Sequence, residues 1–222
     1  MTPTALHWFE LLLDPGPRVL LYEDLLNPRD ARGYDALVHA AQRNTAHSES
    51  VLVVDGKIED IPVVCAVFDF NFLGGTMGIA AGERLYQALH LATQRAGMIL
   101  IAASAGIRIQ EGNFALLQMP RMVATREKLR KKKVPLITIA AGPTFGGVAA
   151  SLVATSDVVF AISEATFGLT GPRAAAAVGD VARVDTAVQA LRAGLIDDVF
   201  PPEEMREPVR RTLQVLSGNL SR

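Results

Sequence analysis

One pattern recurs through this chain and limits its fold more than any other: an apolar run, then a glycine-rich turn, then a helical stretch. Ile61–Phe70 leads into Gly74-Gly75-Thr76-Met77-Gly78 and a helix to about Arg95. Met98–Ala103 leads into Ser104-Ala105-Gly106-Ile107 and a helix to about Lys132. Leu136–Ala141 leads into Gly142-Pro143-Thr144-Phe145-Gly146-Gly147 and a short alanine-rich helix. A fourth apolar run, Val158–Ile162, precedes Ala165–Leu169 and the turn Thr170-Gly171-Pro172-Arg173. Runs this apolar read as strands buried on both faces. Strands that alternate with helices make an α/β domain with largely parallel pairing. The turns at Gly74, Gly106 and Gly146 lie about 32 and about 40 residues apart, in the range of stacked supersecondary units.

The first fifty residues read differently. His7–Leu13 is a short amphipathic run closed by Asp14-Pro15-Gly16-Pro17, and Asp30–Asn44 can form a polar-faced helix. Val51–Asp55, a turn at Gly56 and the run from Ile61 then suggest a hairpin. No linker rich in Pro, Gly or Ser divides the chain. The expected organisation is a helical segment over 1–50, packed on a single domain over 51–222, with Trp8 and Phe9 as its anchors to that domain or to a neighbouring subunit.

Composition excludes several classes of function. Half of the 222 residues are hydrophobic, which favours collapse over disorder. With 22 Lys+Arg against 23 Asp+Glu, the net charge of −1 gives no general pull toward nucleic acid or anionic membrane. The single cysteine, Cys65, sits in an apolar run and reads as a small core residue. It permits no internal disulfide and no cysteine-rich zinc site. The four histidines lack metal-ligand spacing, so no metal is expected. The apolar stretches are too short to cross a bilayer, and Met1–Glu10 lacks a signal peptide's basic start and apolar core. The expected location is the cytoplasm. Neither G-x-G-x-x-G nor a P-loop is present, and Ser104 has no G-x-S-x-G context.

The glycine turns carry the chemistry. A helix N-terminus presents unpaired N–H groups, and glycine lets a ligand oxygen approach them closely. Two such turns facing each other make donors for a developing oxyanion, as catalysis through a thioester enolate requires. The same glycines also serve tight strand-to-helix turns in any α/β fold, and spacing alone does not separate the two uses.

The residues themselves are more specific. Asp69-Phe70-Asn71-Phe72-Leu73-Gly74-Gly75-Thr76-Met77-Gly78 resembles the D-F-x-F-M-G-G-S-M-G segment of the carboxyltransferase β subunits of bacterial acetyl-CoA carboxylase. Ser104-Ala105-Gly106-Ile107-Arg108-Ile109-Gln110-Glu111-Gly112 is similar to that family's S-G-G-A-R-M-Q-E-G, and Leu117-Gln118-Met119 to its L-M-Q-M. Pro143-Thr144-Phe145-Gly146-Gly147-Val148 resembles P-T-x-G-G-V, and Phe167-Gly168-Leu169-Thr170-Gly171-Pro172-Arg173 resembles I-G-F-A-G-P-R. The matches keep their order over nearly the whole chain.

This resemblance implies a crotonase-type spiral of repeated β-β-α units. It also implies transfer of a carboxyl group from carboxybiotin to acetyl-CoA, giving malonyl-CoA, in fatty acid or polyketide biosynthesis. The oxyanion donors it implies are the backbones of Gly74, Gly75, Ala105 and Gly106. Thr76, Met77, Ser104, Ile107, Arg108, Gly146, Gly147, Gly171 and Arg173 would contact the substrate. No cofactor is expected to be bound covalently. The acyl group would arrive on CoA or an acyl carrier protein, and carboxybiotin on a biotin carboxyl carrier protein. An α-type carboxyltransferase subunit and an oligomeric assembly are implied as partners.

The sequence departs from the family pattern in three places. The N-terminal four-cysteine zinc module has no counterpart here. The S-G-G-A stretch carries Ala105 for a glycine and the bulkier, β-branched Ile107 for a small residue, which narrows the pocket. After Arg173 the polar V-I-E-Q-T is replaced by Ala174–Ala177, Val178, Gly179 and Asp180. These changes keep two other readings open: a biotin-independent malonyl-thioester decarboxylase using the same enolate hole, and a non-catalytic partner subunit.

Other polar residues have ordinary readings beside functional ones. Glu111 in a first helical turn gains from the helix dipole, or serves as an acid or base. Glu83 and Glu164 are further carboxylates, the first on a helix face and the second in a fold-building stretch. The run from Arg126 to Lys133 is a solvated helix end, or attracts the phosphates of CoA or a carrier protein.

Overall fold

In a computed structural model the described residues are 3–25, 32–171, 175–176, 179 and 184–218. The apolar runs form the centre of one eight-stranded sheet. β1 (Val51–Ile58) pairs antiparallel with β2 (Ile61–Phe68). β3 (Gly97–Ser104), β4 (Leu136–Phe145) and β5 (Val158–Ala161) then add in parallel. β4 is long enough to serve two neighbours. Its first half pairs with β5, and its second half with β6 (Thr166–Gly168), which meets β7 (Asp185–Thr186) antiparallel. β8 (Asp198–Val199) closes the far edge beside β5. A register shift, in which β3 advances from Ala102 to Ser104 while β4 advances from Ala140 to Thr144, puts a bulge in β4 beside the start of the second glycine turn.

Alternate residues of β2 feed opposite faces, as period-2 side chains must. Val63, Cys65 and Val67 join one core with α1 (Ala5–Leu12) and with α7 (Ala187–Arg192) and α8 (Arg206–Leu216) near the C-terminus. Val64, Ala66 and Phe68 join the other, with α3 (Ile79–Ala92) and α5 (Gln118–Lys131). This two-faced burial explains why the strand reads as nearly continuous apolar sequence. Burial also pushes the Cys65 thiol well above its usual range, consistent with an inert core residue. Trp8, Phe9 and Leu12 of α1 are buried in the first core. α2 (Tyr34–Thr45) instead packs Tyr34, Val38 and Ala41 against Phe72, beside the first glycine turn. Among the described residues, no helix is long and apolar enough to cross a membrane.

Two local expectations fail for identifiable reasons. The hairpin turns at Glu59-Asp60, both at positive φ (47° and 65°), and not at Gly56. Gly56 lies inside β1, where a Cβ would sit 2.9 Å from Leu13 Cδ1. The non-glycine turn is held from outside: the Asp14 carboxylate accepts the N–H groups of Glu59 (2.9 Å) and Asp60 (3.0 Å), and Arg206 pairs with it. Burial alone would raise the Asp14 pKa, but these donors outweigh it and hold the group below its ordinary value. The single helix expected from Ile107 to Lys132 is broken into a 3-10 turn, α4 (Gly112–Leu116) and α5; Gly112, at φ 55°, ψ −140°, separates the first two, and Leu117 joins α4 to α5.

Candidate active site

The three glycine turns are stitched together. Ala105 N–H donates to Gly74 O (2.8 Å), and Ser104 Oγ donates to Gly75 O (2.6 Å). Met77 N–H donates to Gly106 O (2.8 Å), and Arg108 N–H returns to Met77 O (3.0 Å). This closeness requires Gly75: its φ is 62°, and a Cβ there would lie 2.1 Å from the Ala103 carbonyl oxygen. Gly106, at φ 111°, faces the third turn. A side chain on it would meet Gly146 Cα and Gly147 N, each at 3.5 Å. The turn after β6 approaches from the far side, with Leu169 O 3.5 Å from a Cβ built on Gly146, and Gly171 beside Phe145.

The hydrogen bonds decide which N–H groups remain for a ligand. Gly75 N–H is taken by Phe72 O (2.9 Å), Ala105 by Gly74 O, and Gly106 by Ser104 Oγ (3.0 Å). Among the described residues, Ile107 N–H has no acceptor. Gly147, in the first turn of α6 (Gly146–Ser151), has none within its helix and no side-chain cap. Gly74 N–H, on the first turn, likewise has no acceptor among the described residues. The second and third turns pack directly on each other, with Gly147 N 3.5 Å from a Cβ built on Gly106. Ala105 and Ile107, the two departures from glycine and a small residue, both avoid positive φ, so neither strains the turn.

The chain matches the carboxyl transferase domain family over residues 19–190. It is 36% identical over 217 residues to the acetyl-coenzyme A carboxylase carboxyl transferase subunit beta of Opitutus terrae, covering 92% of this chain and 74% of that protein. This chain belongs to the carboxyl transferase domain family. The same subunit of Rhodopseudomonas palustris is 42% identical over 167 residues, which is 75% of this chain but 50% of that protein. Among solved structures, the transcarboxylase 12S hexamer core matches with a TM-score of 0.80 at 25% identity, over 96% of this chain and 41% of that one. The Pseudomonas malonate decarboxylase MdcD–MdcE hetero-dimer shares the fold, with a TM-score of 0.74 at 23% identity, over 97% of this chain and 86% of that one.

In this carboxyl transferase chain, several residues named as substrate contacts lie inside the turns. Met77, Ser104 and Arg108 have no exposed surface. Thr76 donates its hydroxyl to Leu73 O (2.8 Å), and its carbonyl accepts from Arg108 and from Ser50 Oγ. Arg108 is the hub of a buried cluster. Its guanidinium makes a bidentate pair with Glu49, at 2.5 and 2.7 Å, and donates to Thr76 O (2.6 Å), Thr76 Oγ1 (3.1 Å), Ser50 Oγ (3.1 Å) and Tyr34 OH (3.2 Å). Burial works against its charge, but the bonds and charge of Glu49 prevail and hold its pKa above the ordinary arginine value. Tyr34 is pushed well up, by burial first and then by its hydrogen bond to Glu111, against the pull of Arg108. Glu111 also accepts from Ile79 N–H at the start of α3 (2.5 Å), so its carboxylate is committed to structure. Nothing local marks Glu49 or Tyr34 in the sequence, because they meet Arg108 only across 59 and 74 residues of chain.

The other candidates fall outside this centre. Glu83 pairs with Arg121, whose guanidinium lies 4.1 Å over the Tyr86 ring. Within the basic run, Arg126 is buried and paired with Asp157 (2.6 Å), while Lys131, Lys132 and Lys133 are exposed. Glu164 is exposed; its hydrogen bond from Ser163 lowers its pKa. It borders a cavity of about 310 Å³, with Trp8, Asp69, Asn71, Ala103 and Pro143, at the C-terminal ends of β2–β4. No local motif marks this cavity, because its lining comes together only in the fold. Arg173, with Pro172, Ala174, Val178 and Asp180, lies outside the described residues.

Proposed function

We propose that this chain is the acyl-thioester half of an acetyl-CoA carboxylase-type carboxyltransferase, a β-type subunit. In this reading the thioester carbonyl oxygen sits between the N–H groups of Ile107 and Gly147. That pair of open donors is the observation that carries the reading. As the C–H bond next to the carbonyl is broken, negative charge grows on this oxygen, and preorganised donors stabilise it most at that moment. Each such donor is worth on the order of 3 kcal/mol of barrier. The enolate carbon then bonds to the transferred carboxyl carbon, converting acetyl-CoA to malonyl-CoA. Carboxybiotin, brought as a substrate on a carrier protein, supplies that carboxyl group, and its ureido nitrogen takes the proton. The chain's own part is to polarise the carbonyl and to hold the three turns in register. Gly75, Ala105 and Gly106 serve by shape and by bonds that tie the turns together, while Gly74, whose N–H also has no acceptor among the described residues, is a further donor on the first turn.

An exposed apolar rim supports an assembled enzyme. Ile109 (84% exposed), Phe114 (69%), Leu117 (59%) and Leu169 (79%) lie on the segments that follow the second turn and β6. A rim of this kind marks a surface that another chain covers, here an α-type subunit presenting the biotinyl carrier. The exposed lysines at the end of α5 suit the phosphates of CoA or the acidic surface of an acyl carrier protein. The test is to supply the native complex with acetyl-CoA and bicarbonate labelled with heavy carbon, under conditions that charge the biotinyl carrier. Labelled malonyl-CoA is the expected product. A complex that carboxylates its biotin and leaves acetyl-CoA untouched refutes the reading.

A further inference from the structure

We propose that Ile107 and Met119 set the length of the acyl chain that the site accepts, limiting it to a two-carbon acyl thioester. This inference rests on the carboxyltransferase reading above. Ile107 is both the residue whose N–H is open and the residue that replaces a small one in the S-G-G-A-R-like stretch. Its side chain does not point away from the donors. A Cβ built on Gly147, the other donor, would lie 2.4 Å from Ile107 Cγ1, 2.6 Å from Ile107 Cδ1 and 2.8 Å from Met119 Sδ. These two side chains therefore close the space over Gly147 Cα.

Neither residue is fully committed to the core: both are partly buried at the edge of the cluster that contains α3 and α5. They differ in stiffness. Ile107 is β-branched, with a restricted χ1, and it is followed directly by the immobilised Arg108. Met119 is unbranched and can shift to fill irregular space. An acetyl group, whose methyl carbon is the reacting atom, needs no room beyond it. A propionyl or butyryl group adds carbons at that same atom, and each must displace Ile107 or Met119.

The test uses the enzyme purified from its own cells with the subunits that accompany it. Carboxylation of acetyl-, propionyl- and butyryl-CoA is followed by mass analysis, for the wild type, Ile107→Ala and Met119→Ala, with melting temperatures to confirm folding. One methylene in an apolar pocket discriminates by about 10–200-fold. The wild type is expected to favour acetyl- over propionyl-CoA in kcat/KM by about 10-fold or more. Ile107→Ala should reduce that preference about 10-fold, and Met119→Ala should reduce it less, because methionine already yields. An unchanged acetyl-to-propionyl ratio in the folded variants overturns the inference and leaves the carboxyltransferase reading standing. If Ile107→Ala fails to fold, Met119→Ala decides alone. A wild-type complex that carboxylates none of the three overturns both.

Discussion

Replacing Arg108 with methionine tests how the turns are held. The guanidinium is fully buried, and its partner Glu49 is fully buried as well. Methionine fills much of the volume but removes the bidentate pair and the donors to Thr76, Ser50 and Tyr34. The Glu49 carboxylate keeps the N–H of Ser50 but loses its bidentate pair with Arg108. Breaking a buried pair from one side costs about 3–5 kcal/mol. For a chain of this size each kcal/mol lowers the melting temperature by about 2–4 °C, so the expected fall is about 6–20 °C. The double variant Glu49→Leu/Arg108→Met removes both charges, and isosteric apolar replacement of an ion pair is often close to neutral. It should recover at least half of the loss, the remainder reflecting the Thr76 carbonyl and the Ser50 hydroxyl left without their donor. Differential scanning calorimetry at neutral pH on the four proteins of the cycle gives the coupling directly. An Arg108→Met protein melting within about 2 °C of wild type, or a double variant no more stable than Arg108→Met, would refute the reasoning.

Three further outcomes are expected. Gly75→Ala combines a φ of 62° with a Cβ 2.1 Å from a backbone oxygen, so it should lower stability by more than about 3 kcal/mol in urea titrations and abolish carboxyl transfer. Asp14→Asn should cost about 1–2 kcal/mol at neutral pH by weakening the bonds to Glu59, Asp60 and Arg206. Because the folded Asp14 pKa lies below the ordinary 3.8, its contribution is complete above that value and fades as pH falls through the folded pKa. Urea titrations at stepped pH should therefore show the gap between wild type and Asp14→Asn shrinking below about pH 4, and a gap that widens on acidification contradicts this. Leu117→Glu, at an exposed site, should leave the melting temperature within about 2 °C but reduce co-purification of partner subunits; undiminished co-purification counts against the rim as an interface.

The central strands were legible because burial on both faces leaves one simple signature, and Ile61–Phe68, Gly97–Ser104 and Leu136–Phe145 carry it. The hairpin turn was not. Gly56 looks like a turn residue, yet the turn falls at Glu59-Asp60 because Asp14, 45 residues earlier, supplies its acceptor. The same limit applies at the site. The sequence marks the glycines at 74, 75 and 106, but the fate of their N–H groups is a tertiary fact. Gly75 and Gly106 spend theirs within their own turns and Ala105 on the first turn, while among the described residues the N–H groups of Gly74, Ile107 and Gly147 have no acceptor. Arg108 was visible as a motif residue, whereas its enclosure by Glu49 and Tyr34 depends on packing across the whole N-terminal half.

The most direct measurement is to incubate the native complex with malonyl-CoA, with and without free biotin, and to follow the thioester by mass. A carboxyltransferase using an enolate held by Ile107 and Gly147 should convert malonyl-CoA to acetyl-CoA beyond the one equivalent that the carrier's own biotin accepts only when free biotin is present to receive the carboxyl group. Acetyl-CoA formed at the same rate without biotin would contradict the account and assign the site to decarboxylation.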